Sequence, residues 1–364
     1  MTVKEITAIV EEFAPLEYAE SFDNIGLLVG DENAKVTGVL VTLDTLENVI
    51  DEAIEKKCNL ILSFHPIIFS GLKKITGANY VERVVLKAIK NDISIYSMHT
   101  ALDNSNAGVN AKICEVLGLF NTKILIPQKG TIKKLTTYVP KNDAKKLKEA
   151  LFKAGAGTLG NYSNCSFTTL GTGSYKAGKN SNPTKGEIGK THYEEETQLN
   201  VTFEKAKEKE VVKALIDNHP YEEVAYEIIT LENSNQNIGM GMVGDLLNGM
   251  EELDFLNHLK KTMHVSCIRH SNLLNKKIKK VAVLGGSGSF AINAAKAVNA
   301  DIFITADLKY HQFYEAEDKL ILADIGHFET EQFTKNLLVD LLTKKMPNFA
   351  ISLSESITNP IKYF

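Results

Sequence analysis

The stretch Asn59-Leu-Ile-Leu-Ser-Phe-His-Pro66 is a short apolar run that ends in a histidine, and the same pattern occurs twice more in the chain. Ile93-Ser-Ile-Tyr-Ser97 precedes His99, and Leu320-Ile-Leu-Ala-Asp324 precedes His327. Short apolar runs bounded by polar residues are typical of buried β-strands. Open α/β sheets bind ligands outside the carboxyl ends of their strands. We therefore expect these histidines to lie at a common site on one sheet edge.

The segments around these runs alternate between helical and strand patterns. In the first third, helical spacing covers residues 4–13, 46–57, 80–91 and 106–117, and a strand pattern covers 38–44. Such alternation predicts βαβ units and a largely parallel sheet. The rhythm resumes from Ile238, with strand patterns at 280–284, 301–305 and 320–323 and helical patterns at 253–263, 291–298 and 328–345.

The middle of the chain follows a different plan. Strand patterns at 133–140, 197–203 and 224–231 surround helical patterns at 143–154 and 207–218, with a Gly/Ser/Asn/Thr-rich stretch over 155–189. This rhythm suits a ferredoxin-like α+β domain. The predicted fold is therefore a discontinuous three-layer α/β/α domain, residues 1–128 and 236–364, with a second domain inserted at 129–235.

Composition excludes several classes of protein. The net charge of −4 leaves no basic surface for nucleic acid. The four cysteines show no CxxC spacing, which argues against disulfides and a thiolate zinc site. No apolar run reaches the roughly 18 residues of a membrane span, and the start of the sequence does not resemble a signal peptide. We expect a cytoplasmic protein that binds neither membrane nor nucleic acid.

Four residues are candidate metal ligands: His65, Asp103, His327 and Glu331. His327 and Glu331 are four apart at the start of a helical pattern, so their side chains share one face. Asp324 is a candidate to orient the His327 imidazole. Each residue also has a structural interpretation, as a hydrogen-bonded histidine, a helix cap or a first-turn carboxylate. Together their imidazole and carboxylate groups favour a divalent cation.

Further residues are candidate substrate contacts. The Gly285–Ser289 turn, with Gly286, Ser287 and Gly288, follows a strand and could hold a phosphate on its backbone N–H groups. A tight strand-to-helix turn is the alternative interpretation. Asp307 and His311 could face a substrate, and solvated surface residues are the alternative there.

Several motifs in combination resemble the NIF-three-like family, whose bacterial members are often labelled GTP cyclohydrolase 1 type 2 homologs. They are Ser21-Phe-Asp-Asn-Ile-Gly-Leu-Leu-Val-Gly30, Ser63-Phe-His-Pro-Ile-Ile-Phe-Ser-Gly-Leu-Lys73, His99-Thr-Ala-Leu-Asp-Asn104, Gly285-Gly-Ser-Gly288, Thr305-Ala-Asp-Leu-Lys-Tyr-His311 and Gly326-His-Phe-Glu-Thr-Glu331. The insert is similar to the PII-like or CutA-like domain of longer members, through Gly171-Thr-Gly173, Asn182-Pro, Gly186-Glu-Ile-Gly189 and His219-Pro-Tyr-Glu-Glu223.

The resemblance implies a dinuclear divalent-metal site inside a toroidal homohexamer. The family ligands fall on position 64, His65, Asp103, His327 and Glu331, and Phe64 stands where the family has a histidine. Phenylalanine has no lone pair to donate. Three outcomes are open: one tight metal, a second weak one, or a second held with help from His99. Zinc is the favoured metal, and iron or manganese also suits such ligands.

Two functions follow from the resemblance. The first is a metal-dependent hydrolase that acts on a nucleotide or phosphoester through an activated water, with Glu331 and His99 as candidate catalytic residues. The second is a non-catalytic hexameric scaffold, metal-binding or regulatory, whose insert senses a small molecule.

Overall fold

A computed structural model of the chain describes residues 1–364. The chain divides into two compact units, residues 1–127 with 236–364, and residues 128–235. The first break lies one residue before the predicted boundary at 128, and the second coincides with the predicted boundary at 235. None of the helices is both long enough and apolar enough to cross a membrane.

The regular elements follow one another along the chain in three groups. Residues 1–127 form α1 (Val3–Phe13), β1 (Gly26–Val29), β2 (Val39–Thr42), α2 (Glu47–Glu55), β3 (Leu60–Ser63), α3 (Tyr80–Lys90), β4 (Ser94–Ser97), α4 (His99–Asp103), α5 (Val109–Leu117) and β5 (Phe120–Pro127). The second unit forms β6 (Ile132–Pro140), α6 (Ala144–Lys153), β7 (Phe167–Lys176), β8 (Thr191–Glu204), α7 (Glu208–Asn218) and β9 (Tyr226–Thr230). The remainder forms β10 (Gly239–Met250), α8 (Glu252–Thr262), β11 (Arg269–His270), β12 (Ile278–Ser287), α9 (Ile292–Ala297), β13 (Ile302–Ala306), β14 (Ile321–Asp324), α10 (His327–Glu331), α11 (Thr334–Lys345) and β15 (Ile351–Leu353).

The first unit contains two sheets, so the predicted three-layer α/β/α domain is wrong, although the mixed α/β class is right. One sheet has the order β1-β4-β3-β2-β15 and the other β11-β14-β13-β12-β10-β5. Strands β15, β2, β3 and β4 run parallel, as do β12, β13 and β14, and antiparallel strands lie at their edges. Apolar runs indicate strands covered on both faces, but they do not tell which strands share a sheet.

The alternation of side chains along the strands sets the layers of this unit. Val39 and Val41 of β2 lie in a large core with α1, α5, α8 and α11 and with strands of both sheets, whereas Leu40 lies in a second core with α2 and α3. A third core joins the far side of β12–β14 to α9. The first unit therefore consists of two sheets on either side of a shared helical layer, with further helices on the outer faces.

The second unit is an antiparallel sheet with two helices. Its strand order is β7-β8-β6-β9, and its connectivity is β-α-β-β-α-β, which is that of a ferredoxin-like fold. Leu135 and Leu199 of the sheet pack against Leu147 of α6 and Leu215 of α7. β7 lies in the Gly/Ser/Asn/Thr-rich stretch, whose composition gives no strand pattern.

The buried carboxylate of Glu52 on α2 fixes the segment that follows β15. Its oxygens accept hydrogen bonds from the Ser354 hydroxyl (2.7 Å), the N–H groups of Glu355 (2.8 Å) and Ser356 (3.1 Å), and the Lys56 ammonium (2.9 Å). Burial acts to raise the pKa of Glu52, but these bonds outweigh it and lower the pKa to about 2. The C-terminal segment is thereby held beside the site described below.

Replacing Glu52 by glutamine is expected to lower the free energy of unfolding by about 2 kcal/mol at pH 7, because charged hydrogen bonds are lost. The carboxylate binds its partners only when ionised, so its stabilisation is complete above the ordinary pKa of 4.5 and is lost as the pH falls toward about 2. Denaturant titrations of both proteins across this range should show the difference vanish at acid pH. Glu47→Gln, which removes an exposed pair with Arg83, is the control and should change little.

Candidate metal centre

Three potential ligand atoms converge where the two sheets of the first unit meet. The ligand atoms of His65, His327 and Glu331 lie within 4.8 Å of one another. Oε2 of Glu331 is 3.1 Å from Nε2 of His65 and 3.3 Å from Nε2 of His327. His65 follows β3 of one sheet, whereas His327 and Glu331 lie on α10, after β14 of the other. The residues meet as predicted, but across two sheets and not along one edge.

Each of the two imidazoles is oriented by a carboxylate on its other nitrogen. Nδ1 of His65 lies 2.8 Å from Oδ1 of Asp44, and Nδ1 of His327 lies 2.7 Å from Oδ2 of Asp307. When Nδ1–H donates to a carboxylate, Nε2 is the nitrogen directed into the site, and its lone pair becomes available to a metal once its proton is lost, as in carboxylate–histidine–metal arrangements. Thr358 of the C-terminal segment donates to Oδ2 of Asp44 at 2.7 Å and holds that carboxylate in turn.

The prediction that Asp324 orients His327 is wrong. Asp324 accepts hydrogen bonds from Arg269, from the N–H of Leu308 (2.9 Å) and from the N–H of Gly326 (3.2 Å). It therefore fixes the loops that carry Asp307 and His327. Asp307, predicted as a substrate contact, is the partner of the imidazole.

His65, His327 and Glu331 shift one another's pKa values strongly. Burial opposes ionisation of His65, but Asp44 and Glu331 outweigh it and raise its pKa to about 10. The same balance, with Glu331 as the main partner, raises the pKa of His327 to about 9. Burial would raise the pKa of Glu331, yet its contacts with both imidazoles lower it to about 2. The carboxylate is therefore ionised at neutral pH and available to a cation.

Asp103 lies beside this group but outside it. Burial, followed by the charge of Glu331, raises the pKa of Asp103 well above its usual value. Its Oδ1 is buried with no hydrogen-bond partner, and the buried Oε2 of Glu331 contacts only the two imidazoles. Buried carboxylate oxygens without donors are costly. A divalent cation would satisfy them, so the residues present fit such an ion.

Phe64 fills the position where the resemblance places a further histidine. Its side chain is fully buried in the large core, with its ring centroid 4.8 Å from that of His65. His99 is nearby, 5.4 Å from His65 between ring centroids, and its Nδ1 is held by Oδ1 of Asp23 at 2.8 Å. Only His65, His327 and Glu331 form a group with metal-ligand spacing. Neither Phe64 nor His99 belongs to that group.

A small cleft of about 200 Å³ opens onto the group. It is lined by Phe22, His99, Thr100, Asp103, Asn110, Met240, Leu284, Gly285, Gly286, Ser287, Phe290, His327 and Glu331. Of the predicted substrate contacts, Gly286 and Ser287 thus reach the cleft, whereas Gly288, Asp307 and His311 do not line it. His311 is exposed, with its ring centroid 5.2 Å from that of Tyr310.

Two glycines of this cleft, Gly285 and Gly286, have backbone N–H groups that are already hydrogen-bonded within the protein. The N–H of Gly285 donates to Asn110 Oδ1 (3.0 Å), and that of Gly286 donates to Thr330 Oγ1 (2.9 Å). These two donors are engaged within the protein, so the predicted phosphate contact at this turn stays a prediction for the N–H groups of Ser287 and Gly288. Gly286 has φ +69°, and a Cβ there would stand 2.5 Å from Oε1 of Glu331. Glycine is needed at 286 because the backbone passes directly against the ligand carboxylate.

Fold and site together define an α/β protein with a two-histidine, one-carboxylate candidate site for a divalent cation, interrupted by a compact second unit. The chain belongs to the Duf34/NIF3 (NGG1p interacting factor 3) family, whose sequence model matches residues 1–360. The resemblance predicted from the motifs is thereby confirmed.

Relatives match the chain over its full length. A Bacillus subtilis protein named "GTP cyclohydrolase 1 type 2 homolog" is 39% identical over 99% of this chain and 98% of its own length. The structure of a Bacillus cereus protein related to NIF3 is 36% identical with a TM-score of 0.85, and covers 100% of this chain and 99% of that one. The structure of Staphylococcus aureus protein SA1388 is 30% identical with a TM-score of 0.78, at the same coverage.

Asn replacements at Asp44 or Asp307 should lower the affinity for zinc about 10- to 100-fold, because the imidazoles lose the carboxylates that orient them. Competition with a chromophoric chelator measures this directly. Asp340→Asn, on the exposed face of α11, is the matched control. Unchanged affinity in both site variants would show that these carboxylates do not support the ligands.

Proposed function

We propose that this protein is a metal-dependent hydrolase that acts on a nucleotide or phosphoester, with one divalent cation held by His65, His327 and Glu331. The observation that carries the proposal is the convergence of two Nε2 atoms on Oε2 of Glu331, with a carboxylate behind each imidazole. Three protein ligands are the number found in catalytic zinc sites, whereas structural sites are usually closed by four. Zinc is the favoured ion, and iron or manganese also suits these donors.

The residues around the ligands have separable roles in this proposal. A bound divalent cation supplies Lewis acidity and lowers the pKa of water. Glu331 acts as a ligand, because its Oε2 already lies between both imidazoles. His99 lines the cleft and is held through Nδ1 by Asp23, so its Nε2 can exchange a proton with a substrate. Asp103 lies beside the ligands and lines the same cleft.

The substrate class rests on two supports. Close relatives carry the name GTP cyclohydrolase 1 type 2 homolog, which favours a nucleotide. The cleft of about 200 Å³ has room for the reacting group of a substrate, and the remainder of the substrate would lie outside it. A phosphoester of a small molecule meets this requirement equally well.

The wider setting is proposed from the family resemblance. We expect a toroidal homohexamer in the cytoplasm and an insert related to PII-like or CutA-like domains. The ferredoxin-like connectivity of residues 128–235 supports the last of these. Sedimentation of the purified protein tests the hexamer.

A non-catalytic metal-binding or regulatory scaffold is the second candidate. The buried Phe64 favours it, because the chain lacks one ligand of the family pattern and with it the means for two-metal chemistry.

The test is a hydrolase screen on protein stripped with a chelator and then reloaded with zinc, iron(II) or manganese. GTP and a panel of phosphoesters serve as substrates, and Glu331→Gln and His99→Ala serve as site variants. The hydrolase proposal expects turnover in reloaded wild type and none in stripped protein or Glu331→Gln. Metal uptake without turnover of any substrate would favour the scaffold, and equal turnover in stripped protein would contradict the metal-dependent reaction.

A further inference from the structure

The second unit contains a cavity of about 580 Å³ that is unrelated to the metal centre. Side chains alternate along β8, so Leu199 and Val201 lie in the core, whereas Glu196 and Gln198 point to the opposite face of the sheet and line the cavity. The loop between β7 and β8 approaches the segment before β9, since Thr184 Oγ1 donates to the carbonyl of Pro220 at 2.9 Å. A cavity of this volume can hold a small organic molecule.

Glu196 is the most unusual residue of this cavity. Glu196 is only 9% exposed, and its Oε1 accepts a hydrogen bond from the Tyr221 hydroxyl at 2.9 Å. No lysine, arginine or histidine lies at ion-pair distance from it, whereas the neighbouring Glu194 and Glu195 pair with Lys185 and Lys141. Buried glutamates are rarely left without a cationic partner.

The backbone makes room for this carboxylate. Gly173 on the neighbouring strand β7 lies close to this carboxylate, and a Cβ there would stand 2.0 Å from Oε2 of Glu196. A side chain at 173 would therefore displace the acidic group. The position pairs with Glu194 in the β7–β8 ladder.

Aromatic rings and further acidic groups surround Glu196. Tyr138, Tyr175 and Tyr221 line the cavity, with the centroids of the last two rings 6.0 Å apart. The hydroxyl of Tyr175 donates to the carbonyl of Lys185 at 2.6 Å and is thus already engaged. Glu222 and Glu223 also line the cavity, and Lys176 is its only basic lining residue. Tyrosine rings beside a carboxylate attract cations.

We propose that this cavity binds a small organic cation, an amine or guanidinium compound, with Glu196 as its counter-ion and the tyrosines around its apolar part. A metal ion is disfavoured, because the acidic residues of the cavity do not form a group with metal-ligand spacing. An anion is excluded by the three carboxylates. The site lies entirely within residues 128–235, so a test of this proposal does not depend on whether the hydrolase proposal is correct.

Calorimetric titration of the full-length protein with three matched probes tests the proposal. Benzylamine carries the cation, benzyl alcohol is neutral and benzoate is anionic, on the same ring. We expect benzylamine to bind at least about tenfold more tightly than the other two, and Glu196→Gln to abolish this preference, since a charged hydrogen bond is lost. Glu195→Gln, the exposed neighbour paired with Lys141, is the control and should bind like wild type.

A second variant tests the same carboxylate in case Glu196→Gln does not fold. Gly173→Ala keeps Glu196 but places a methyl group against its carboxylate, and it should weaken benzylamine binding while benzyl alcohol is less affected. Equal binding of the amine and the alcohol to wild type would overturn the proposal. So would undiminished amine binding in Glu196→Gln, or no binding of the amine at millimolar concentration.

Discussion

Glu331→Gln is expected to lower the affinity for zinc by more than about 100-fold, which exceeds the loss typical of a residue that only orients a ligand. Glutamine keeps the volume of the side chain but removes the charge and one of the acceptor oxygens. Because Glu331 is 3% exposed and lies between the two Nε2 atoms, no water can replace its carboxylate without rearrangement. Chelator competition on the purified variant measures the loss.

Glu329→Gln is the matched control for this experiment. Glu329 is also buried and lies on the same short helix, but its Oε1 accepts from Asn359 and takes no part in the ligand group. Its replacement should leave zinc affinity within a few-fold of wild type. If both variants lost affinity equally, the effect would reflect damage to α10 and would not identify a ligand.

Phe64→His is expected to add a second metal equivalent per chain. The ring at 64 is fully buried beside His65 and 5.6 Å from His99 between centroids, so a histidine there would place a new donor next to these two imidazoles. The same change removes an apolar ring from the core and should cost about 2–4 kcal/mol of stability without metal. Excess zinc should recover part of that loss, because only the folded state binds it tightly.

Phe64→Leu separates these two effects. It creates a similar packing defect but brings no lone pair, so it should be destabilised and still bind one metal. Equal metal content in both variants would show that position 64 does not face the site.

Much of the site could be predicted because each candidate ligand is marked by the short stretch of sequence around it. His65, His99 and His327 each follow a strand whose apolar run is easily recognised, and the spacing of His327 and Glu331 indicates a shared helix face. The predicted helix over 328–345 is in fact α10 and α11, separated after Glu331. The break leaves the spacing of the ligands intact.

The orienting carboxylates could not be predicted because they act across the fold. Asp44 is 21 positions from His65, and Asp307 is 20 from His327. Asp324, nearer in sequence to His327, was the natural candidate, but its strand directs it to Arg269 and the N–H of Leu308. One signal is present in the sequence, since Asp44 ends a strand pattern and Asp307 follows another.

The two-sheet architecture was hidden for a similar reason. Strands β1, β5 and β15 lie at sheet edges and β10 lies next to an edge, and their sequences do not tell which strand each of them pairs with. β15, from the end of the chain, pairs with β2 near its start. Pairing of this kind depends on the assembled core and not on a local pattern.

The most direct test of the metal centre is elemental analysis of purified wild type beside His327→Ala and His270→Ala, after equilibration with zinc and removal of unbound metal. His270 is exposed on β11, with Nδ1 near the carbonyl of Ser271, and is the control for loss of a histidine. We predict one zinc per chain in wild type and in His270→Ala, and a near absence of zinc in His327→Ala. Equal zinc in wild type and His327→Ala would contradict the assignment of His65, His327 and Glu331 as the ligands.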